Sequence, residues 1–228
     1  MQKPQNRPWK VLKSEVIAKN LPWLNLRQEC VELPNGQQIP TWYISDFPDW
    51  INVIAITKDG HFVMESQYRH GIGETHYELC AGVIDEGETP LQAAKRELLE
   101  ETGYSGGEWQ YFMKLSPNPT NHSNYAHTFL AVGVEKNEER HLEKTEDIDV
   151  YLLTKEEVKE LLDEGDIVQA LHAAPLWKYF ASSPALGVSP KVEVKKEEPS
   201  SPALGVSPKV EVNKEEPSST ALGVSPKE

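Results

Sequence analysis

An 18-residue segment running from Ser182 to Pro199 is repeated with one change from Ser200 to Pro217, and again, cut short, from Ser218 to Glu228. This repeat does more than any other feature to confine where the chain can fold. Across the 47 residues from Ser182 onward there is no Trp, Tyr, Phe, His or Cys, so nothing there can anchor an ordinary core. Each unit offers only Ala, Leu and Val, broken by Pro and Gly, and so lacks the continuous face that a solenoid repeat buries against its neighbour. Residues 182–228 are therefore expected to be a disordered, polyproline-rich tail. It is either a repeat expansion without function or a short linear motif displayed in several copies to a protein partner whose identity the residues do not give.

The fold is then expected within residues 1–181. That part holds 17 Lys and Arg against 29 Asp and Glu, −12 of the chain's formal −13. So acidic a surface argues against nucleic acid as a partner, because phosphate-backbone binding needs clustered Lys and Arg. No apolar run approaches the roughly 18 residues of a spanning helix, and the start, Met1 to Arg7, lacks the apolar stretch of a signal peptide. A cytoplasmic location without membrane attachment is expected. The two cysteines, Cys30 and Cys80, show no metal-ligand spacing and read as buried free thiols.

Alternating apolar residues predict strands over Trp9 to Lys19, Leu24 to Leu33 and Ile39 to Ile44, with Pro34-Asn35-Gly36 as a hairpin turn. These form an expected N-terminal antiparallel β subdomain, residues 1–48. Beyond it, residues 49–181, strands are predicted over Ile51 to Thr57 and His61 to Tyr68, joined at Asp59-Gly60, and over Thr75 to Ala81, Tyr125 to Val134 and Asp149 to Leu153. Helices are expected from about Pro90 to Thr102, after the capping residue Thr154, and over about Val168 to Phe180. Mixed strands with helices inserted at the middle and end imply an α/β/α sandwich around a mixed sheet.

The stretch richest in chemistry is Gly82 to Tyr104. Thr89 is a natural helix cap, Pro90 suits the first helical position, Gln92 completes a capping box and Gly103 can supply the left-handed stop. At 3.6 residues per turn Leu91, Ala94 and Leu98 share one face, while Glu97, Glu100 and Glu101 gather on another. Three like charges on neighbouring turns repel, and a hard divalent cation such as Mg²⁺ would turn that repulsion into binding. Such an ion would also let an acidic protein accept an anionic phosphate substrate.

Here the sequence resembles a known family. Gly82 to Tyr104 match the Nudix box, Gly-x5-Glu-x7-Arg-Glu-U-x-Glu-Glu-x-Gly-U with U apolar, at every fixed position. From about Trp9 to Phe180 the chain is similar to the ADP-ribose pyrophosphatase branch of Nudix hydrolases. The likeness is carried by the long antiparallel segment before the box, Gln67-Tyr68-Arg69, Glu78-Leu79-Cys80-Ala81-Gly82, and Pro117 and Pro119 beyond the box.

The resemblance implies that Glu97 and Glu101 ligate Mg²⁺, with Mn²⁺ a possible substitute, that Glu100 joins or replaces one of them, and that the Ala81 carbonyl adds a ligand. Arg96 would lock the box by pairing with Glu88 or its neighbours. Arg69 would contact the substrate diphosphate, and Trp50 is a candidate for stacking on an adenine. Cys80 stands where the branch has Pro, which leaves the adjoining carbonyl available. In the acidic loop Glu143-Lys144-Thr145-Glu146-Asp147, Lys144 replaces a glutamate of the branch, so Glu146, with Glu143 as substitute, is the expected catalytic base. The implied reaction is Mg²⁺-dependent hydrolysis of a nucleoside diphosphate derivative, foremost ADP-ribose to AMP and ribose 5-phosphate. A UDP- or GDP-sugar pyrophosphatase is the near alternative, and a catalytically silent nucleotide sensor or interaction module is the alternative of another class. The branch also implies a homodimer built through the N-terminal strands.

Overall fold

The computed structural model describes residues 2–21 and 24–182. The expectation for the repeat beyond Ser182 lies outside them. Three strands, β1 (Lys10–Asn20), β2 (Leu24–Glu32) and β3 (Gln38–Ser45), form an antiparallel sheet in the order β1-β2-β3. The turn between β2 and β3 forms because Gly36 accepts a φ of 83° that side-chain-bearing residues avoid, while the Asn35 side chain takes a hydrogen bond from the Gln37 amide. Trp9, Val11, Leu12, Val16, Ile17, Leu24 and Tyr43 of this region stay exposed.

The second sheet has seven strands. Along β10-β5-β4-β9-β8 run β10 (Ile148–Leu153), β5 (Phe62–Arg69), β4 (Trp50–Thr57), β9 (Ala126–Lys136) and β8 (Tyr104–Leu115); β6 (Glu74–Glu78) pairs with β5 and β7 (Cys80–Val83) with β4. Only β4 and β9 are parallel, so the sheet is mixed, as expected.

Strand alternation divides the core. Ile51, Val53, Ala55, Val63, Phe129 and Ala131 face the helix α1 (Pro90–Glu97), meeting Ala93 and Ala94. Ile54, Ile56, Phe62, Met64 and Leu130 face the other way, against Val158 and Leu162 of α2 (Lys155–Glu164) and Leu176 of α3 (Ala170–Ser182). At roughly 1.5–3 kcal/mol for each large side chain, burial on both faces is the main source of stability. The two sheets touch where Ser45 forms a parallel bridge with His122 and Trp42 Nε1 donates to the Thr120 carbonyl at 3.2 Å. Among the described residues no helix is long and apolar enough to cross a membrane, and Cys30 and Cys80 are both free thiols.

Four expectations need correction. Thr75 to Ala81 is two strands, because β4 and β5 pair directly only at Ala55–Val63 and Ile56–Phe62 and then diverge. The chain crosses the gap at Leu79, whose amide donates to His172 Nδ1 at 2.8 Å in place of a strand partner. Strand β8 had no counterpart in the sequence reading. The box helix is capped by Thr89 and Gln92 as expected, but after Glu97 it widens into a π turn, Leu98–Thr102, ended by Gly103 at φ 77°. The last helix begins at Ala170 rather than near Val168 and accommodates Pro175.

Candidate active site

The divergence of β4 and β5 opens the sheet where β7 runs into the box. The strand β7 aligns Ala81 with Asn52 and Gly82 with Ile51 of β4. Directly over it lies the π turn. Glu101 is buried and Glu97 half-buried, while Glu100 is the most exposed of the three but shares Arg96 Nη1 with Glu97 and adds to the rise of its pKa. Glu101 is 6% exposed, and one of its oxygens accepts from the Ala81 amide at 3.3 Å. The hydrogen bond at Ala81 thus runs through its N–H. Gly82 leaves room for Glu97, since a Cβ there would collide with the Glu97 carboxylate.

Arg96 ties the box together. Its Nε and Nη2 donate to the two carboxylate oxygens of Glu88 at 2.9 Å each, Nη2 also reaches the Val83 carbonyl at 3.1 Å, and Nη1 meets Glu97 at 2.8 Å and Glu100 at 3.2 Å. The hydrogen bond to Glu88 foremost, with Glu97 and Glu100 adding, raises the guanidinium's pKa, and the same bond from Arg96 lowers that of Glu88.

Electrostatically the interior of the site is short of positive charge. Burial pushes Glu101 up to about 8, with the neighbouring charges of Glu97 and Glu146 adding to the rise. Burial raises Glu97 as well, against the pull of Arg96 and with Glu100 and Glu146 contributing. Glu146 therefore lies close enough for its charge to be felt by both, while its carboxylate accepts from the Glu143 amide at 2.8 Å. Glu143 takes part through that backbone N–H. Among the described residues no Lys, Arg or His pairs with Glu101 or Glu146. A buried Glu101 and a half-buried Glu97, both raised in pKa by loss of water and by neighbouring carboxylates, with the nearest arginine engaged mainly at the rim, are oxygen donors of the kind a hard divalent cation takes.

Arg69, at the end of β5, is clamped by Glu78: Nε donates to Oε1 at 2.7 Å and Nη2 to Oε2. Trp50 opens β4 opposite Val83 of the box and lies against Phe47, ring centroids 5.8 Å apart. Glu65 was not foreseen. It sits on the same face of β5 as Val63, is 4% exposed, and is raised well above the usual carboxylate range by burial and by Glu101 and Glu78. Its only sequence signal is that an acid at position 65 continues the alternation of core positions 63 and 65. Glu78 carries part of the family likeness, but its pairing with Arg69, nine residues away, was not expected from the sequence.

With this geometry in place, comparison with known proteins decides the kinship. Residues 48–172 match the NUDIX domain. The chain belongs to the NUDIX family. Residues 9–45 match the nucleoside diphosphate sugar hydrolase N-terminal domain. Among relatives of this Nudix protein, a methanol dehydrogenase activator of Bacillus methanolicus is 33% identical over 159 residues, 69% of this chain and 85% of that one. An ADP-ribose pyrophosphatase of Bacillus subtilis is 31% identical over 166 residues, 71% and 89% of the two chains. A crystal structure of an ADP compounds hydrolase shares the fold, with a TM-score of 0.68 at 21% identity over 79% of this chain and 96% of that one. The protein is a Nudix hydrolase of the ADP-ribose pyrophosphatase-like branch, an enzyme acting on pyrophosphate bonds.

Proposed function

We propose that this Nudix hydrolase cleaves ADP-ribose to AMP and ribose 5-phosphate in a Mg²⁺-dependent reaction, with Mn²⁺ able to substitute. The observation that carries the reading is the pair Glu97 and Glu101 over Ala81 and Gly82, a half-buried and a buried carboxylate whose raised pKa values a divalent cation would reverse. Glu97, Glu101 and the Ala81 carbonyl would hold the ion. Glu100, on the outer side beside Arg96, would support it. When bound, Mg²⁺ supplies polarisation of the phosphoryl oxygens and activation of water.

The chain's own residues do the rest. Arg69, aimed by Glu78, binds the diphosphate, and Trp50 stacks on the adenine. Glu146, with Glu143 as its substitute, takes the proton from the attacking water as the P–O–P bridge breaks. Arg96 keeps Glu97 and Glu100 in place. The substrate is a small nucleotide and the setting the cytoplasm.

A second reading, hydrolysis of a UDP- or GDP-sugar, is favoured by the match of residues 9–45 to a nucleoside diphosphate sugar hydrolase domain. Product release from ADP-ribose, UDP-glucose, GDP-mannose and a nucleoside triphosphate, with and without Mg²⁺, separates the two. ADP-ribose should lead, and Glu101→Gln should lower kcat on the order of a hundredfold or more while leaving Tm nearly unchanged. A preference for either sugar nucleotide overturns the first reading in favour of the second; turnover retained by Glu101→Gln overturns the metal assignment.

A further inference from the structure

Two donors that the hydrolytic reading leaves idle, Glu65 and Cys80, meet the proposed Mg²⁺ ligand Glu101. Glu65 of β5, Cys80 of β7 and Glu101 of the π turn each present one ligand atom, and the three atoms lie within 4.8 Å of one another. All three residues are buried, Cys80 completely. Glu65 Oε1 is buried without a hydrogen-bond partner, and no Lys, Arg or His pairs with Glu65 among the described residues.

A carboxylate taken out of water is ordinarily paired, hydrogen-bonded or bound to a metal. Glu65 occupies a core-facing position on the Val63 side of β5, where an aliphatic residue would pack without that cost. Its nearest polar company is a second carboxylate and a thiol. Glu65 and Cys80 each hydrogen-bond to Glu101, yet Glu65 Oε1 is left without a partner, and the three groups able to bear negative charge lie within 4.8 Å of one another.

The donor set defines the chemical class of the occupant. Mg²⁺ and Ca²⁺ take oxygen, whereas a thiolate beside carboxylates suits a borderline-soft divalent cation. With metal–sulfur distances of about 2.3 Å and metal–oxygen distances of about 2.0–2.2 Å, the three side chains need to close by about an ångström to share one ion.

We propose that Glu65, Cys80 and Glu101 form a site for a cation of the Zn²⁺ class. On binding, the Cys80 S–H bond breaks, a sulfur–metal bond forms and the proton leaves to solvent. The site shares Glu101 with the proposed Mg²⁺ ligands, so its occupancy draws that carboxylate inward and zinc opposes hydrolysis. That consequence rests on the reading under Proposed function; the site itself does not.

The test uses the full chain, reduced and stripped of metal, with Cd²⁺ as probe in excess Mg²⁺ and no substrate. The expected result is an ultraviolet thiolate-to-Cd²⁺ charge-transfer band that saturates at one ion per chain with release of a proton. The chain has two cysteines, so the band must survive in Cys30→Ser and vanish in Cys80→Ala. Glu65→Gln, nearly unchanged in volume, should weaken binding about tenfold or more. Absence of the band in the unmodified chain, its loss in Cys30→Ser, its persistence in Cys80→Ala, or unchanged affinity in Glu65→Gln would each overturn the proposal. Should Cys80→Ala not fold, the Cys30→Ser titration alone assigns the sulfur. Because no turnover is measured, failure here is distinct from failure of the hydrolytic reading.

Discussion

Arg96 grips Glu88 through two parallel hydrogen bonds of equal length, Nε to Oε1 and Nη2 to Oε2 at 2.9 Å. The same guanidinium spans the Val83 carbonyl, Glu97 and Glu100, so one planar group joins the loop before the helix to the turn that ends it.

A lysine cannot reproduce that fork. Arg96→Lys should cost about 1–3 kcal/mol, the scale of hydrogen bonds to charged groups, and lower Tm by several degrees. Turnover should fall further than stability predicts, because Glu97 loses its anchor. Thermal melts and kcat measured side by side check the split.

Gly82 tests the cradle from the opposite side. Its backbone needs no left-handed φ, so Gly82→Ala should fold, yet its Cβ displaces the Glu97 carboxylate. Mg²⁺ affinity, read by calorimetry, should fall about tenfold or more with a small change in Tm. Unaltered affinity would show that Glu97 does not bind the ion.

Stability should depend on pH through His172. Burial lowers its pKa from 6.5 to about 4. The unfolded chain therefore takes up the proton first, and the His172 contribution is complete above about pH 6.5, falls as the pH drops, and is lost below about 4. The loss is on the order of 3 kcal/mol at most. Urea unfolding at pH 7 and pH 4.5 should show it, and His172→Asn, which keeps an acceptor for the Leu79 amide, should flatten the dependence.

We propose that the homodimer expected from the sequence forms through the N-terminal sheet. Val11 and Val16 are 52% and 54% exposed, in company with Trp9, Leu12, Ile17 and Tyr43. Exposed apolar side chains on both faces of one small sheet are what an association surface would use. Light scattering at micromolar concentration should give twice the chain mass, and Val16→Glu should shift it toward the monomer. A fully active monomer would refute the assembly.

Much of this architecture was readable from residues alone where the signals are local. The Thr89-Pro90 start and Gly103 stop of the box helix, and the Asn35-Gly36 turn, depend on near neighbours and fell where expected. Strand β8 was hidden because Gly106 and Gly107, at φ 76° and 72°, interrupt the alternation that Trp109, Tyr111 and Met113 would otherwise display. Gly107 is required there, since a Cβ would strike the Val132 carbonyl. Helical spacing grouped Glu97, Glu100 and Glu101, yet could not foretell the π turn, Leu98–Thr102, on which Glu100 and Glu101 sit. Nothing near Glu65 or His172 in sequence signals their burial; the partner of His172, the Leu79 amide, is 93 residues away.

The bond from the Leu79 amide to His172 spans 93 residues, and that from Asn52 Nδ2 to the Leu171 carbonyl spans 119. The bend that lets β7 leave β6 and lie beside β4 is thus secured by the last helix, as a keystone secures an arch. Contacts so distant along the chain form late, after the entropy of closing long loops has been met. Removal of α3 would take away the acceptors of both the Leu79 amide and the Asn52 side chain, so the floor under the box glutamates depends on the far end of the described chain.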